Sequence, residues 1–318
     1  MGEVVDGIQT FFRELAAVDW TPLAIALGLQ LARLLCRAVA WRSIIAAAYP
    51  ETRIPLGRVT GAYFAGVGVN AIAPARAGDV VKLVLVKYEV RGTTYTTLAP
   101  TLLVETLFDM AVASVILLWA LFAGVLPAFD ALGELPSIDW TWPIDHPRPA
   151  LVVAAVWLTA ITLLVLIWSR RVRDFREQVR HGFAILYEPR RYLAEVVSWQ
   201  ALSWVFRIAG VWFFLDAFDI PGTARNVAIV LAVQSLSTLL PFTPGGIGTQ
   251  QGFLLYAFRD TTVGRASLVS FSVGMHIATN VVNLAAGLVA LLLLARTIRW
   301  KQLIAPEREA IERAKDGR

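Results

Sequence analysis

The stretch APARAGD, residues 73–79, divides an apolar region into two pieces, 59–73 and 80–88. A helix needs about 20 mostly apolar residues to cross a bilayer, so neither piece crosses it alone. Proline and glycine break the helix at the junction, and broken backbone at membrane depth must be buried in protein or line a wet cavity. The stretch therefore predicts a re-entrant helical hairpin whose tip lies at 74–79.

The composition around this stretch is typical of a membrane protein. Of the 318 residues, 57% are hydrophobic and 17% are charged, whereas soluble proteins have about 25% charged residues. Two soluble domains of about 150 residues would fit this length, but the apolar blocks extend from 20 to 296 and indicate one membrane domain. The single cysteine, Cys36, excludes a disulfide framework and a thiolate metal site.

Apolar blocks predict five full crossings and a second broken hairpin. The crossings are expected at 21–40, 98–126, 149–169, 193–215 and 266–295, and the hairpin at 226–259, with PFTPGGIGT (241–249) at its tip. Residues 1–19 resemble a short interfacial segment, and 297–318 form a charged cytoplasmic tail.

The net charge of +5 is explained by membrane orientation. Seven arginines lie within 170–191, whereas 127–148 contains one arginine and four acidic residues. Because basic loops stay in the cytoplasm, we expect a multi-pass plasma-membrane protein with its N-terminus outside and its C-terminus inside. The first hairpin would then enter from the cytoplasm and the second from outside.

Both halves follow the order span, hairpin, span. Repeat one covers about 20–126 and repeat two about 193–296, with 149–169 as the linking span. Arg37 precedes Pro74 by 74 − 37 = 37 residues, and Arg207 precedes Pro241 by 241 − 207 = 34. Since the units start on opposite sides, we predict an all-α polytopic fold of two inverted repeats, which is a transporter architecture.

Two polar stripes lie within the predicted spans. Gln30, Arg33 and Arg37 share one face of the first helix, and Thr101, Glu105 and Asp109 share one face of the third. An arginine inside the bilayer costs at least about 2.5 kcal/mol, so Arg33 should face a partner or a cavity. Arg37, near the expected helix end, can snorkel to the surface. A structural ion-pair network explains these charges as well as a binding site does.

The two hairpin tips are candidate anion sites. Exposed amide groups at the start of a helix attract anions, Arg76 can clamp a phosphate with two hydrogen bonds, and Asp79 can cap the following helix. The second tip has the same design with glycines only. The simpler explanation for each tip is a tight turn without a ligand. On the last span His276, Asn280 and Asn283 share a face, which favours interhelical hydrogen bonds over a proton relay.

Three motifs carry a family resemblance: Asn70 with PARAGDVVK (74–82), ETLFD (105–109) and TPGGIGT (243–249). With them the chain resembles the lysylphosphatidylglycerol synthase transmembrane family, also called the flippase-like domain family, over nearly its whole length. In larger members a soluble aminoacyl-transferase domain follows, which we expect to be absent here. The resemblance implies lipid translocation or support of a partner enzyme; other stand-alone members are linked to polyprenyl-phosphate-sugar and glycosyl-transfer systems.

The chain departs from the family pattern at four positions. Gln250 and Gln251 follow the second tip where an acidic residue is expected. Thr106 stands in place of an arginine, and Lys82 stands where arginine is common. These differences bear on proton coupling and on the choice of headgroup.

The first hypothesis is a flippase-like transporter that binds an anionic phospholipid or polyprenyl-phosphate headgroup between the two tips. A non-transporting accessory subunit of a lipid-linked glycosyltransferase system is the alternative. A lipid-pyrophosphate phosphatase is less favoured, because Thr243 and Thr249 stand among glycines without an arginine. We expect no enzyme activity, no cofactor, no metal and no nucleic-acid partner. The candidate substrate-binding residues are Arg33, Arg37, Asn70, Arg76, Gly78, Asp79, Lys82, Glu105, Asp109, Arg207, Thr243, Gly245, Gly246, Gly248, Thr249, His276 and Asn280.

Overall fold

A computed structural model describes residues 18–73, 76–90, 92–122, 179–239, 249–259, 261 and 263–297. Within these ranges the chain is helical and contains no strand. The helices are α1 (Trp20–Ala48), α2 (Leu56–Asn70), α3 (Ala77–Glu89), α4 (Tyr95–Phe122), α5 (Pro189–Ala217), α6 (Ala224–Leu239), α7 (Thr249–Ala257) and α8 (Arg265–Thr297). A short 3₁₀ segment, Ala184–Tyr187, precedes α5, and α5 widens into a π-helical turn at Leu193–Val197.

Four of these helices, α1, α4, α5 and α8, are long and apolar enough to cross a membrane. The chain is therefore a polytopic membrane protein, as the composition predicted. The fifth expected crossing, 149–169, lies outside the described residues, as do segment 1–17 and the tail from 298 onward.

The first broken region forms an antiparallel helical hairpin. α2 has 15 residues and α3 has 13, so at 1.5 Å per residue each is only roughly 20 Å long. Arg58 near the start of α2 pairs with Glu89 at the end of α3 at 3.3 Å. At the other end, the amide of Gly78 donates to the Asn70 side chain at 2.7 Å. The start of α2 and the end of α3 therefore lie at the same end of the hairpin. The position of the hairpin in a bilayer stays a prediction.

The two halves show the same order of a long helix, two short helices and a long helix. α1 packs along α5 in the opposite direction, because the amide of Asp19 donates to the carbonyl of Ala217 at 3.1 Å. The short α2 packs on α8 of the other half, and the short α6 packs on α4. Contacts thus correspond when the halves are exchanged, while the inverted relation itself stays a prediction.

Two buried apolar clusters occupy opposite ends of α1. One joins Ala26 to α5, α6 and the first half of α8, and the other joins the second half of α1 to α2, α3 and α4. The polar residues Gln30, Arg33 and Arg37 lie between these clusters, in the middle of the 29-residue helix. The candidate site is therefore held by apolar packing on both sides.

Candidate functional site

Arg37 is the centre of an ionic network between α1 and α4. Its guanidinium donates to Glu105 at 2.7 Å and to Asp109 at 2.5 Å. Its Nε donates to the Tyr63 hydroxyl at 2.7 Å, and that hydroxyl donates to Glu105 Oε1 at 2.7 Å. Because the two carboxylates lie four residues apart, they share one face of α4, and a single guanidinium reaches both.

The expected snorkelling of Arg37 is wrong. α1 continues to Ala48, eleven residues beyond Arg37 (48 − 37 = 11), so the side chain lies deep in the bundle and not near a helix end. There it binds carboxylates, since a buried guanidinium needs an opposite charge and hydrogen-bond acceptors.

Helix α5 holds the carboxylate face of α4 in place. Trp204 Nε1 donates to Asp109 Oδ1 at 2.8 Å, and Gln200 Nε2 donates to the Glu105 carbonyl oxygen at 2.8 Å. One turn before Glu105, the Thr101 hydroxyl accepts from Trp41 Nε1 at 3.0 Å. All three members of the predicted α4 stripe therefore have partners on neighbouring long helices.

The first hairpin connects to this network through Lys82. Its ammonium pairs with Asp79 at 3.1 Å and lies 4.2 Å from the centre of the Tyr63 ring. Asp79 therefore neutralises Lys82. The expectation that Asp79 caps α3 is wrong. The residue before α3 is Arg76, whose side chain caps no amide group.

Close glycine contacts bring the two helices of the hairpin together. A Cβ added at Gly78 would lie 1.8 Å from the Gly66 carbonyl oxygen, and one added at Gly66 would lie 2.4 Å from the Lys82 side chain. Because the two helices lie so close, the Asn70 side chain accepts a hydrogen bond from the Gly78 amide, and Lys82 packs against Tyr63.

Arg76 occupies the hairpin tip in a left-handed conformation, with φ of 56°. Its side chain is exposed and forms no ion pair with any described residue. The conformation is uncommon for a residue other than glycine and is found more often at functional sites. The preceding residues 74 and 75 lie outside the described part of the chain.

Two further arginines, Arg33 and Arg207, have amide partners instead of carboxylates. Arg33 donates to Gln30 at 3.2 Å, and Gln30 donates to Asn283 at 3.0 Å. Arg207 donates to Gln234 at 3.0 Å and lies 4.6 Å from the Trp204 ring centre. Within the described ranges neither arginine forms an ion pair.

The electrostatics of this region leave one positive charge in excess. Arg207 lies within electrostatic range of Arg33, and Asp109 stabilises the positive charge of both arginines. The described cations are Arg33, Arg37, Lys82 and Arg207, and the described anions are Asp79, Glu105 and Asp109. Apart from Arg76 at the hairpin tip, this region of the described chain therefore contains four positive and three negative side chains.

Comparison with known protein families matches residues 5–287 to the family described as Lysylphosphatidylglycerol synthase TM region. The chain belongs to this family. The match covers most of the chain, including α1 to α7 and all but the last turns of α8. It confirms the resemblance. A search of curated proteins found no match.

For this member of the lysylphosphatidylglycerol synthase transmembrane family, the structure joins most of the expected residues of the first half. Arg37, Lys82, Glu105 and Asp109 form the network, and Asn70, Gly78 and Asp79 close the hairpin. Residues of the second tip, Thr243, Gly245, Gly246 and Gly248, lie outside the described residues, and of Thr249 only the backbone is described. Their part in the site stays a prediction.

His276 and Asn280 are partly buried on α8 and make no hydrogen bond with the described residues, whereas Asn283 accepts from Gln30. Sequence reasoning missed Tyr63, Gln200, Trp204 and Gln234 as members of the network. Their polar groups inside apolar helices were the available signal. No group of three or more His, Cys, Asp or Glu residues in the described part is placed to hold a metal ion.

Proposed function

We propose that this protein is a flippase-like transporter that carries a lipid with an anionic headgroup across the plasma membrane. Membership of a family defined by a membrane region supports the membrane setting. The four long apolar helices support it as well. A charged group that crosses a bilayer needs polar partners along its path, because hydrocarbon offers none.

The observation that carries this proposal is a pair of arginines on the long helices α1 and α5, Arg33 and Arg207, which form no ion pair with any carboxylate in the described part of the chain. A purely structural network would neutralise its charges internally, as Arg37 does with Glu105 and Asp109. Among the described residues, Arg33 and Arg207 instead donate to amide oxygens, and Arg33 disfavours the positive charge of Arg207. A phosphate is the ligand that this arrangement suits, since guanidinium groups bind it with two parallel hydrogen bonds.

In this proposal the remaining residues have supporting roles. Arg37, Tyr63 and Glu105 form a fixed frame that joins α1, α2 and α4. Asp109, with 28% of its side chain accessible against 3% for Glu105, is the carboxylate of this network that a cationic group of the headgroup can reach. Arg76 and the amide groups of the tips would receive the headgroup as it enters, while Lys82 is already neutralised by Asp79.

Alternating access would come from movement of the two halves about the central site, as in transporters built from inverted repeats. The long α1 and α5 pack together and meet at the Asp19–Ala217 hydrogen bond. They would serve as the axis, and the short helices would open to one side at a time.

Native mass spectrometry of the purified protein with co-purified lipids tests this proposal. We expect a defined anionic or polyprenyl-phosphate lipid on the wild type and its loss from Arg33→Gln. The matched control is Arg225→Gln, which removes an exposed arginine at the start of α6 and should retain the lipid. An identical, unselective set of lipids on all three proteins would refute the headgroup site.

A further inference from the structure

The two halves share a pattern of individual residues as well as an order of helices. A glutamine precedes the central arginine of the first helix by 37 − 30 = 7 residues in α1 and by 207 − 200 = 7 in α5. Gln30 donates across to Asn283 on α8, and Gln200 donates across to the carbonyl oxygen of residue 105 on α4. Each glutamine thus ties its helix to the last helix of the other half.

The central arginines take part in equivalent chains of contacts. Arg37 donates to Tyr63, 26 residues later, and Tyr63 donates to Glu105, 42 residues further on. Arg207 donates to Gln234, 27 residues later, and Gln234 donates to the Met275 sulfur, 41 residues further on. Each chain runs from the first long helix through the first short helix to the last long helix of its half.

The two chains of contacts differ in the residue at which they end. Met275 occupies the place of Glu105, so a thioether stands where the first half has a carboxylate. Met275 is 5% exposed, and Gln234 Nε2 lies 3.6 Å from its sulfur. In the first half Glu105 neutralises Arg37; among the described residues no carboxylate pairs with Arg207.

We propose that Arg207 is a phosphate half-site, in which a lipid phosphate oxygen supplies to Arg207 the negative charge that the Glu105 carboxylate supplies to Arg37. This inference rests on the proposed function and assigns its ligand-binding arginine and ligand class: a phosphate monoester or diester with at least one free anionic oxygen. Phosphate and carboxylate both present two oxygens that match the guanidinium fork.

The surroundings of Arg207 fit a half-site for an anion. The Trp204 ring beneath the guanidinium orients it and stabilises it as a cation. Gln234 occupies only one of its donors in the described structure, NH2 at 3.0 Å. A phosphate bound by both Arg207 and Arg33 would offset the unfavourable influence of Arg33 on the Arg207 charge, and it would link α1 to α5 through one ligand.

A built-in carboxylate should therefore compete with the lipid. Met275→Glu restores to the second half the residue type of the first, and Met275→Gln is its uncharged control with the same chain length. The probes are phosphatidylglycerol, a phosphodiester, and farnesyl phosphate, a phosphomonoester, each titrated into the detergent-solubilised full chain and counted by native mass spectrometry. Phosphatidylcholine is the zwitterionic comparison.

We expect Met275→Glu to bind the anionic probes about tenfold or more weakly than Met275→Gln, which corresponds to about 1.4 kcal/mol. Met275→Gln is the reference because it removes the same thioether without adding a charge, and Arg225→Gln, at an exposed position, should bind the probes as the wild type does. Weakening for only one probe would identify the ester class that the half-site takes. The melting temperature of Met275→Glu without added lipid should equal or exceed that of Met275→Gln, because the new carboxylate pairs with Arg207.

Equal binding of the anionic probes by folded Met275→Glu and Met275→Gln would overturn the half-site. If Arg33→Gln still weakened binding in that case, the proposed function would stand without it. Failure of the wild type to bind any anionic probe would contradict the proposed function and the half-site together. Should Met275→Glu not fold, Gln234→Glu supplies the carboxylate 3.0 Å from Arg207 in a side chain of the same shape and is judged by the same criterion.

Discussion

Arg37 is the residue on which the central network depends most. Replacing it with glutamine leaves the Glu105 carboxylate, with 3% of its side chain accessible, without a cation. Removing one partner of a buried pair costs about 3–5 kcal/mol, so Arg37→Gln should melt well below the wild type in detergent. Arg225→Gln, at an exposed position, is the control and should melt like the wild type. Equal melting of Arg37→Gln and the control would contradict the network.

The helical faces that carry these residues follow from sequence, but their partners do not. Spacings of three, four and seven residues placed Arg33 with Arg37 and Glu105 with Asp109, and both pairs do share a face. The sequence did not show which cation pairs with the two carboxylates; packing places Arg37 there. Trp204 was out of reach of this reasoning, because its contact with Asp109 joins residues 95 positions apart.

At the scale of helices, the close approach of α2 and α3 determines the position of the first tip. A methyl group at Gly78 would lie 1.8 Å from the Gly66 carbonyl oxygen, so Gly78→Ala must push the helices apart and weaken the Asn70 contact. Overpacking of this kind costs about 1–3 kcal/mol or more. Gly57→Ala is the control on the same hairpin, because an added methyl group meets nothing within 4 Å.

Thermal unfolding of the two glycine variants in one detergent measures this difference. Gly78→Ala should melt at a lower temperature than the wild type and lose the lipid that co-purifies with it. Gly57→Ala should retain both properties, since alanine is a better helix former than glycine. Similar melting of the two variants would show that the hairpin can open without cost.

Helix order was predictable from sequence, whereas helix length was less so. Apolar blocks and breaking residues located both broken regions, and the described helices 56–70, 77–89, 224–239 and 249–257 lie around the predicted breaks. The first span was expected to end at 40 but continues to Ala48, because Trp41, Ile44 and Ile45 are buried against the first hairpin and α4. Tertiary burial, which periodicity does not report, extends that helix.

In the whole molecule, the distribution of arginines predicts which loops face the cytoplasm. After Cys36→Ala removes the native thiol, single cysteines at Glu51 and Tyr187 should react only with a membrane-permeant maleimide on intact cells. A cysteine at Arg225 should react with an impermeant one. All three positions are exposed. Labelling of positions 51 and 225 from the same side would contradict the inverted arrangement of the two halves.

Part of the overall architecture was predictable from patterns in this one sequence. Polytopic character and the family follow from composition and three short motifs, and residues 5–287 confirm the family. The exchange of contacts between halves, α2 with α8 and α6 with α4, was not predictable, because the halves share few residue identities. The two halves resemble each other in the spacing between contacting residues and not in residue identity.

Lipid transport by the purified protein tests the proposed flippase function most directly. Proteoliposomes with fluorescent phosphatidylglycerol or fluorescent polyprenyl phosphate are treated with dithionite, which bleaches only the label that reaches the outer leaflet. We expect bleaching beyond the outer-leaflet fraction with the wild type and a return to that fraction with Arg33→Gln and Met275→Glu, whereas Arg225→Gln, at an exposed position, remains active. Bleaching by the wild type no greater than in protein-free liposomes, for lipids that it demonstrably binds, would contradict transport and leave a lipid-presenting accessory subunit as the function.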